Sequence, residues 1–329
     1  MRIKRCSANP IVQPGGFAWR KSNVFNPGVV MDNGVFYMLE RAAGGLAPFI
    51  TKIGLLKSHD GINFTHVKDE PVFTSEMIGL PYGSVQDPRV VKIEGLFYMA
   101  YAVRPYCIYA RTPKNFNIKD AYPDWDGRKE SNLTRSAIAV SENLITWKHI
   151  GFTTPPEIDD RDNILFPEKI NGKFALLRRP IGGKYIGSPG IWISYSDNLK
   201  NWTEPEFVAG PKEQWEGAKI GGSTPPIKTD KGWLTLYHGV DENKVYRVGA
   251  MLLDLDNPAN VIARTKLYIM EPHEDYEKVG LFIPNVIFPT GNVVSDGILY
   301  IYYGCTDTCI AMATVPLHEI MDYLMLEKV

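Results

Sequence analysis

The sequence predicts an all-β fold: a five-bladed β-propeller with a short C-terminal helix, filling residues 1–329 as a single domain. Three observations predict it. One strand-like segment recurs five times, a turn-marked strand stands ahead of each copy, and the composition favours short strands.

The recurring segment is a glycine followed by an aromatic or bulky residue and alternating apolar positions. It reads GVFYMLERAA from Gly34, GLFYMAYAVR from Gly95, GKFALLRRPI from Gly172, GWLTLYHGVD from Gly232 and GILYIYYGCT from Gly297. The steps are 61, 77, 60 and 65 residues, a near-even period that points to stacked or ringed repeats. Ahead of each copy lies a proline: Pro27, Pro88, Pro167, Pro225 and Pro289. Each pair reads as a β-hairpin with a turn glycine, the proline sitting where no ladder N–H is needed.

A third strand follows in most units. IGLLKSHDGINF, SAIAVSENLITW and IWISYSDNLKNW share an alternating run, a serine, a polar turn and an aromatic; VGAMLLDLDNP is a variant and IAMATVPLHEI closes the series. Segments such as THVKDEPVF and KHIGF supply a fourth strand. Four strands per repeat make a propeller blade, and a ring of blades leaves only short, protected edges. A β-sandwich is the competing fold, but its strands come without a 60-residue period. Aromatics at 12%, with 29 glycines and 24 prolines, fit many short strands and turns. Only PLHEIMDYLMLEKV, at the C-terminus, has helical periodicity. The second repeat carries an excess at residues 104–132, a length that suits a substrate rim, an assembly element or surface decoration.

Bulk properties remove several functions. A net charge of −1 gives no basic surface for nucleic acid or an anionic membrane, and no apolar stretch is long enough to span a bilayer. Four scattered cysteines (Cys6, Cys107, Cys305, Cys309) lack zinc-site spacing and read as buried thiols. No metal or organic cofactor is expected, because the acidic residues are dispersed without the spacing of a calcium loop. The N-terminus has basic residues but no apolar core after them, so the expectation is cytoplasmic residence; a trimmed periplasmic form would look the same. Oligomeric state is left open, homo-oligomers included.

In a propeller the first strand of every blade lines the central channel, so equivalent positions of five repeats share one pocket. That rule collects Asn26 and Arg41 from the first repeat, Asp87 and Arg89 from the second, and Glu168 and Arg179 from the third. The fourth gives Glu216, Lys219 and His238, and the fifth Asp307. Singly, each has a plain explanation: Asp87 a turn residue, Glu168 a solvated partner of Lys169, His238 a satisfied core histidine, Arg41 and Arg179 structural ion pairs. Together, carboxylates and guanidinium forks match vicinal hydroxyls and aromatic walls match the apolar face of a pyranose. Two carboxylates about 6.5–9.5 Å apart would leave room for a water and invert the anomeric centre.

With these residues assembled, the chain resembles glycoside hydrolase family 130, which holds β-mannosidases and β-mannoside phosphorylases. The matching segments are FNPGVV, YGSVQDPRVVKIEG, ILFPEKINGKF, WEGAKIGGSTPPIKTDKGWLTLYHGV, YRVGAMLLDLDNP and YYGCTDT, spread over essentially the whole chain. The resemblance implies that Asp87 is the general acid, working through a hydroxyl of the bound mannose. It implies that Asn26, Arg41, His238 and Asp307 hold the mannose, with Arg89, Arg179, Lys219 and Tyr246 completing the substrate-binding set. Phosphorylases of this kind resemble FPRKINGK at the blade-three motif, where this chain has FPEKINGK. Glutamate repels a dianion and can deprotonate water. The leading expectation is therefore an inverting hydrolase of β-linked, foremost β-1,2, mannosides, with Glu168 and Glu216 as bases beside Asp87. The alternatives are a phosphorylase using inorganic phosphate as co-substrate to make α-mannose 1-phosphate, which Arg179 and Lys219 favour, and a non-catalytic sugar-binding propeller.

Overall fold

The computed structural model describes residues 3–327, except 109–111, 113, 183–184, 186–189 and 282. Each predicted hairpin forms the inner half of an antiparallel sheet, because its alternating apolar positions bury against the neighbouring blade. Blade one is Asn23–Asp32, Val35–Ala43, Thr51–Ser58 and Thr65–His66, in that order from the axis outward. Blade two is Ser84–Ile93, Leu96–Arg104, Arg135–Ser141 and Lys148–Phe152. Blade three is Asp159–Leu165, Phe174–Ile181, Ile191–Ser196 and Glu206–Ala209. Blade four has a broken inner strand, Lys219–Gly222 and Ile227–Thr229, both paired with Gly232–Val240; Tyr246–Leu253 and Val261–Arg264 lie outside it.

Blade five closes the ring with a strand from the other end of the chain. Its inner strands are Ile287–Ser295, Ile298–Cys305 and Cys309–Pro316, and the outermost is Lys4–Arg5. Two residues of pairing are short, but Arg5 is also anchored by a bidentate pair with buried Glu277 (Nε–Oε1 2.7 Å, Nη2–Oε2 2.9 Å). The Tyr303 hydroxyl donates to the same carboxylate at 2.9 Å. Sequence patterning gave no sign of this closure, since a two-residue strand has no period to read.

The apolar cores lie between blades. One joins Leu39, Ile53 and Leu55 of blade one to Val90, Met99 and Tyr101 of blade two, and comparable clusters fill the other interfaces. The C-terminal helix, Leu317–Leu326, packs Ile320, Met321 and Leu324 against blades four and five. Two four-residue helices, Ile118–Ala121 and Asp275–Lys278, lie in loops. Much of the 104–132 excursion wraps an aromatic cluster in which Tyr82, Tyr106 and Trp125 surround buried Tyr122 or one another; residues 109–111 and 113 fall outside the described residues.

One backbone device positions the site. The inner hairpins of blades one, two and three each break register, between Phe25 and Gly28, Gln86 and Arg89, and Arg161 and Ile164. At each break a residue adopts the left-handed conformation: Asn26 (φ 46°), Asp87 (φ 50°) and Asp162 (φ 54°). Asn and Asp tolerate that region better than other side-chain-bearing residues, and such a bulge re-aims a side chain. Three bulges thus aim three short polar side chains toward the axis.

Candidate active site

The three bulges open into a cavity of about 250 Å3 at one end of the axial channel. Its wall includes Asn26 and Arg41 of blade one, Asp87 of blade two, Arg161, Asp162 and Arg179 of blade three, Lys219, His238 and Tyr246 of blade four, and Asp307 of blade five. Larger hollows of about 380 and 460 Å3 lie at the perimeter of blades two and three; neither gathers groups from all five blades.

Asp87 is held from the next blade. Asn26 Nδ2 and Arg41 Nη1 both donate to its Oδ1, each at 2.8 Å. Arg41 is itself fixed, with its guanidinium 4.4 Å from the Phe25 ring centroid and Nε donating to Thr51 Oγ1 at 3.2 Å. Asn26 packs so tightly on Gly304 that a Cβ there would stand 2.1 Å from Asn26 Oδ1, so only glycine fits.

The same cavity is rich in cations. Arg179 Nε donates to Asp162 Oδ2 at 2.5 Å, and Lys219 Nζ donates to the Tyr246 hydroxyl at 3.0 Å. Arg161 pairs with Asp159 through Nε at 2.9 Å and Nη2 at 3.2 Å. His238 lies buried among them, stacked on Tyr246 and edge-on to Phe288. Burial, then the charges of Arg179, Lys219 and Arg89, push its pKa down to about 3 against the pull of Asp162. The imidazole is neutral at ordinary pH and serves as a hydrogen-bonding group. Burial raises the Asp162 carboxyl, but Arg179, His238 and Arg89 together hold it well below the usual carboxylate range. Gly221 is required beside them, since a Cβ would fall 2.5 Å from Asp162 Oδ2 and from His238 Cε1.

Asp307 sits at a tight turn between Cys305 and Cys309, where Thr306 (φ 48°) and Asp307 (φ 55°) are both left-handed. Asn23 Nδ2 donates to its backbone carbonyl at 2.6 Å. Arg89 stands behind the wall, fully buried. Its Nε donates to the Ser223 carbonyl at 2.9 Å, Nη1 to the Asp87 carbonyl at 3.2 Å and Nη2 to Asp162 Oδ1 at 3.2 Å.

The two expected bases are not brought to this cavity. Glu168 lies beyond the far end of the inner strand Asp159–Leu165, exposed, with Oε2 2.6 Å from Lys228 Nζ. Glu216 is buried in the turn Gln214–Glu216, where Oε1 takes the backbone N–H groups of Lys212 and Glu213 and Arg264 Nη2 at 2.6 Å. It is a structural ion pair. The error on Glu168 is one of register: the bulge equivalent to Asn26 and Asp87 is Asp162, not the position beside Pro167. Asp162 and Arg161 were missed for the same reason. Among the described residues no cluster of three or more His, Cys, Asp or Glu is arranged to hold a metal. No disulfide joins Cys6, Cys107, Cys305 or Cys309; all but Cys6 are buried.

A five-bladed propeller whose axial pocket sets a hydrogen-bonded carboxylate against a cluster of cations belongs among enzymes that act on glycosidic bonds. The chain is a member of glycoside hydrolase family 130: the family model, described as beta-1,4-mannooligosaccharide phosphorylase, matches residues 2–326. It is 39% identical over 327 residues to a 1,2-beta-oligomannan phosphorylase of Thermoanaerobacter sp. (strain X514), covering 97% of this chain and 99% of the relative. A beta-1,2-mannobiose phosphorylase of the same organism is 36% identical over 327 residues, covering 95% and 97%. Among solved structures, the Listeria innocua beta-1,2-mannobiose phosphorylase in complex with beta-1,2-mannobiose superposes with a TM-score of 0.79 at 26% identity, covering 99% of this chain and all of that one.

Proposed function

We propose that this chain is an inverting β-mannoside phosphorylase acting on β-1,2-linked mannosides, with inorganic phosphate as co-substrate. The observation that carries the reading is the set of cations: Arg161, Arg179 and Lys219 line one cavity with Asp87, and neither candidate water-activating glutamate is there. Guanidinium and ammonium groups bind a phosphate dianion through charge-assisted hydrogen bonds. The expectation of hydrolysis rested on Glu168 as base, and that side chain pairs with Lys228 at the other end of the blade. The similarity to phosphorylases of β-1,2-mannosides supports the same choice.

In this reading Asn26, Arg41, His238 and Asp307 hold the mannosyl unit between acid and anion. A phosphate oxygen, held by Arg179, Lys219 and Arg161 with the Tyr246 hydroxyl beside them, attacks the anomeric carbon from the face opposite the scissile bond. The C1–O glycosidic bond breaks, its electron pair stays on the departing oxygen, and the Asp87 carboxylic acid supplies the proton, through a sugar hydroxyl as the family resemblance implies. The products are α-mannose 1-phosphate and a saccharide shortened by one mannose, so the configuration inverts. A product assay on β-1,2-mannobiose with and without phosphate tests it. Mannose 1-phosphate formed only with phosphate is expected; free mannose at a phosphate-independent rate would overturn it.

A further inference from the structure

We propose that Asp162 is a positioning residue that couples the anion-binding wall to the acid: its two oxygens pin Arg179 on one side and, through Arg89, the backbone of Asp87 on the other. The inference rests on the phosphorylase reading and extends it to a residue whose role is to orient others.

Asp162 is 4% exposed, and each oxygen has its own arginine, Oδ2 to Arg179 Nε and Oδ1 to Arg89 Nη2. Arg89 continues the chain, its Nη1 reaching the carbonyl of Asp87. A single carboxylate thus lies between the side chain that faces the anion and the bulge that aims the acid. The arrangement is stiff at each link. The Asp162 bulge fixes the carboxylate, Gly221 packs so close that a Cβ there would stand 2.5 Å from Asp162 Oδ2, and Arg89 is buried with a third bond to the Ser223 carbonyl. Asp162 spends one oxygen on Nε of Arg179, an edge nitrogen, and no bond ties Nη1 or Nη2 of Arg179 to Asp162 among those described. Those two nitrogens are the fork that grips a tetrahedral anion. An arginine held by Nε presents its fork in a fixed direction, and such pre-ordering lowers the entropy lost on binding. Asp162 also leaves the wall with a moderated charge. Without it, Arg89 and Arg179 would each lose the carboxylate their side chain pairs with.

The Asp162→Asn variant keeps shape and removes the charge. Three quantities are measured: KM for phosphate, KM for β-1,2-mannobiose, and binding of inorganic phosphate itself by calorimetry. The expected result is a rise of about tenfold or more in phosphate KM with a matching loss of phosphate affinity, a fall in kcat, and a mannobiose KM within about threefold of the parent. A residue of purely structural importance would not split the two KM values. Unchanged phosphate KM and affinity in a folded variant would overturn the proposal, as would equal losses for both substrates. Because Asp162→Asn strands two buried arginines, the double variant Arg89→Gln/Asp162→Asn, which deletes one charge of each sign, is made alongside. It is expected to show the same weakened phosphate binding with a lower kcat, and parental phosphate affinity in it would overturn the proposal. The parent separates this failure from that of the functional reading. A parent that binds phosphate but hydrolyses mannobiose without it overturns only the reading, while one that binds no phosphate overturns both.

Discussion

Arg41 of blade one reaches across the blade boundary to donate to Asp87 Oδ1 at 2.8 Å, and Asn26 of the same blade donates to the same oxygen at the same distance. Both bonds on one oxygen fix the carboxyl plane and leave Oδ2 as the oxygen available to carry a proton. Such a group acts only if it reaches the departing oxygen or a sugar hydroxyl at hydrogen-bonding distance.

The first prediction follows from that geometry. Asp87→Asn keeps a side chain of the same size but cannot deliver the proton. Turnover of β-1,2-mannobiose is expected to fall by roughly 10²–10⁴, the usual worth of a general acid. Circular dichroism and the thermal midpoint should stay near the parent's, since Asp87 lies at the cavity wall. Near-parental turnover in a folded variant would remove Asp87 as the acid.

Glu168 gives the second. It is exposed and its partner, Lys228, is exposed too, each side chain at 51%. Surface pairs of this kind contribute about 0–1 kcal/mol. Glu168→Gln should therefore leave kcat and both KM values within about twofold and barely move stability. A loss of a hundredfold or more would mean that the glutamate reaches the reacting centre after all, and hydrolysis would return as the leading chemistry.

Glu216 should behave in the opposite way. Its carboxylate is inaccessible, takes two backbone N–H groups and pairs with Arg264, which also bonds the Tyr237 hydroxyl and the Gly210 carbonyl. Removing one charge of a buried pair costs about 3–5 kcal/mol. Glu216→Gln should unfold at clearly lower urea while the fraction that stays folded keeps its phosphate and mannobiose KM values. Parental stability with lost activity would contradict a structural role.

The fold was readable because its signals are local and repeated: a two-residue strand period, a turn glycine and an even spacing survive without any knowledge of contacts. Asn26 and Asp87 were readable for the same reason, each lying eight residues before its hairpin glycine, as were Arg41 and Arg179, each seven after theirs. Blade three misled because Asn163 stands where blades one and two have Pro27 and Pro88. The proline marker then slid to Pro167, five residues before its turn glycine, where Pro27 and Pro88 stand seven before theirs. That short interval was the signal in the sequence that the register differed. It hid Asp162 and Arg161 and promoted Glu168, and with it the hydrolase. Glu216 could not be sorted at all, because its partner Arg264 lies 48 residues on, at a position no spacing rule connects to it.

His238 carries the last prediction. In the unfolded chain its imidazole takes a proton near pH 6.5, whereas in the fold burial and the surrounding cations hold it to about 3. Between those values the unfolded state binds the extra proton and the folded state does not. The contribution of His238 is therefore complete above pH 6.5 and is lost as pH falls toward 3, by at most about 1.4 kcal/mol per pH unit. Asp162, held low by its arginines, adds its own loss only below about pH 4. His149, also depressed by burial, and buried Asp160, shifted upward, titrate alike in the parent and in a His238 variant, so the difference between the two curves belongs to His238. Urea midpoints at pH 7.5, 6.5, 5.5 and 4.5 measure it. The parent should weaken through this window more steeply than His238→Gln, which carries no imidazole to charge. Parallel curves would mean that the folded protein protonates His238 as readily as the unfolded chain does, and that the ring facing the substrate becomes charged below about pH 6.5.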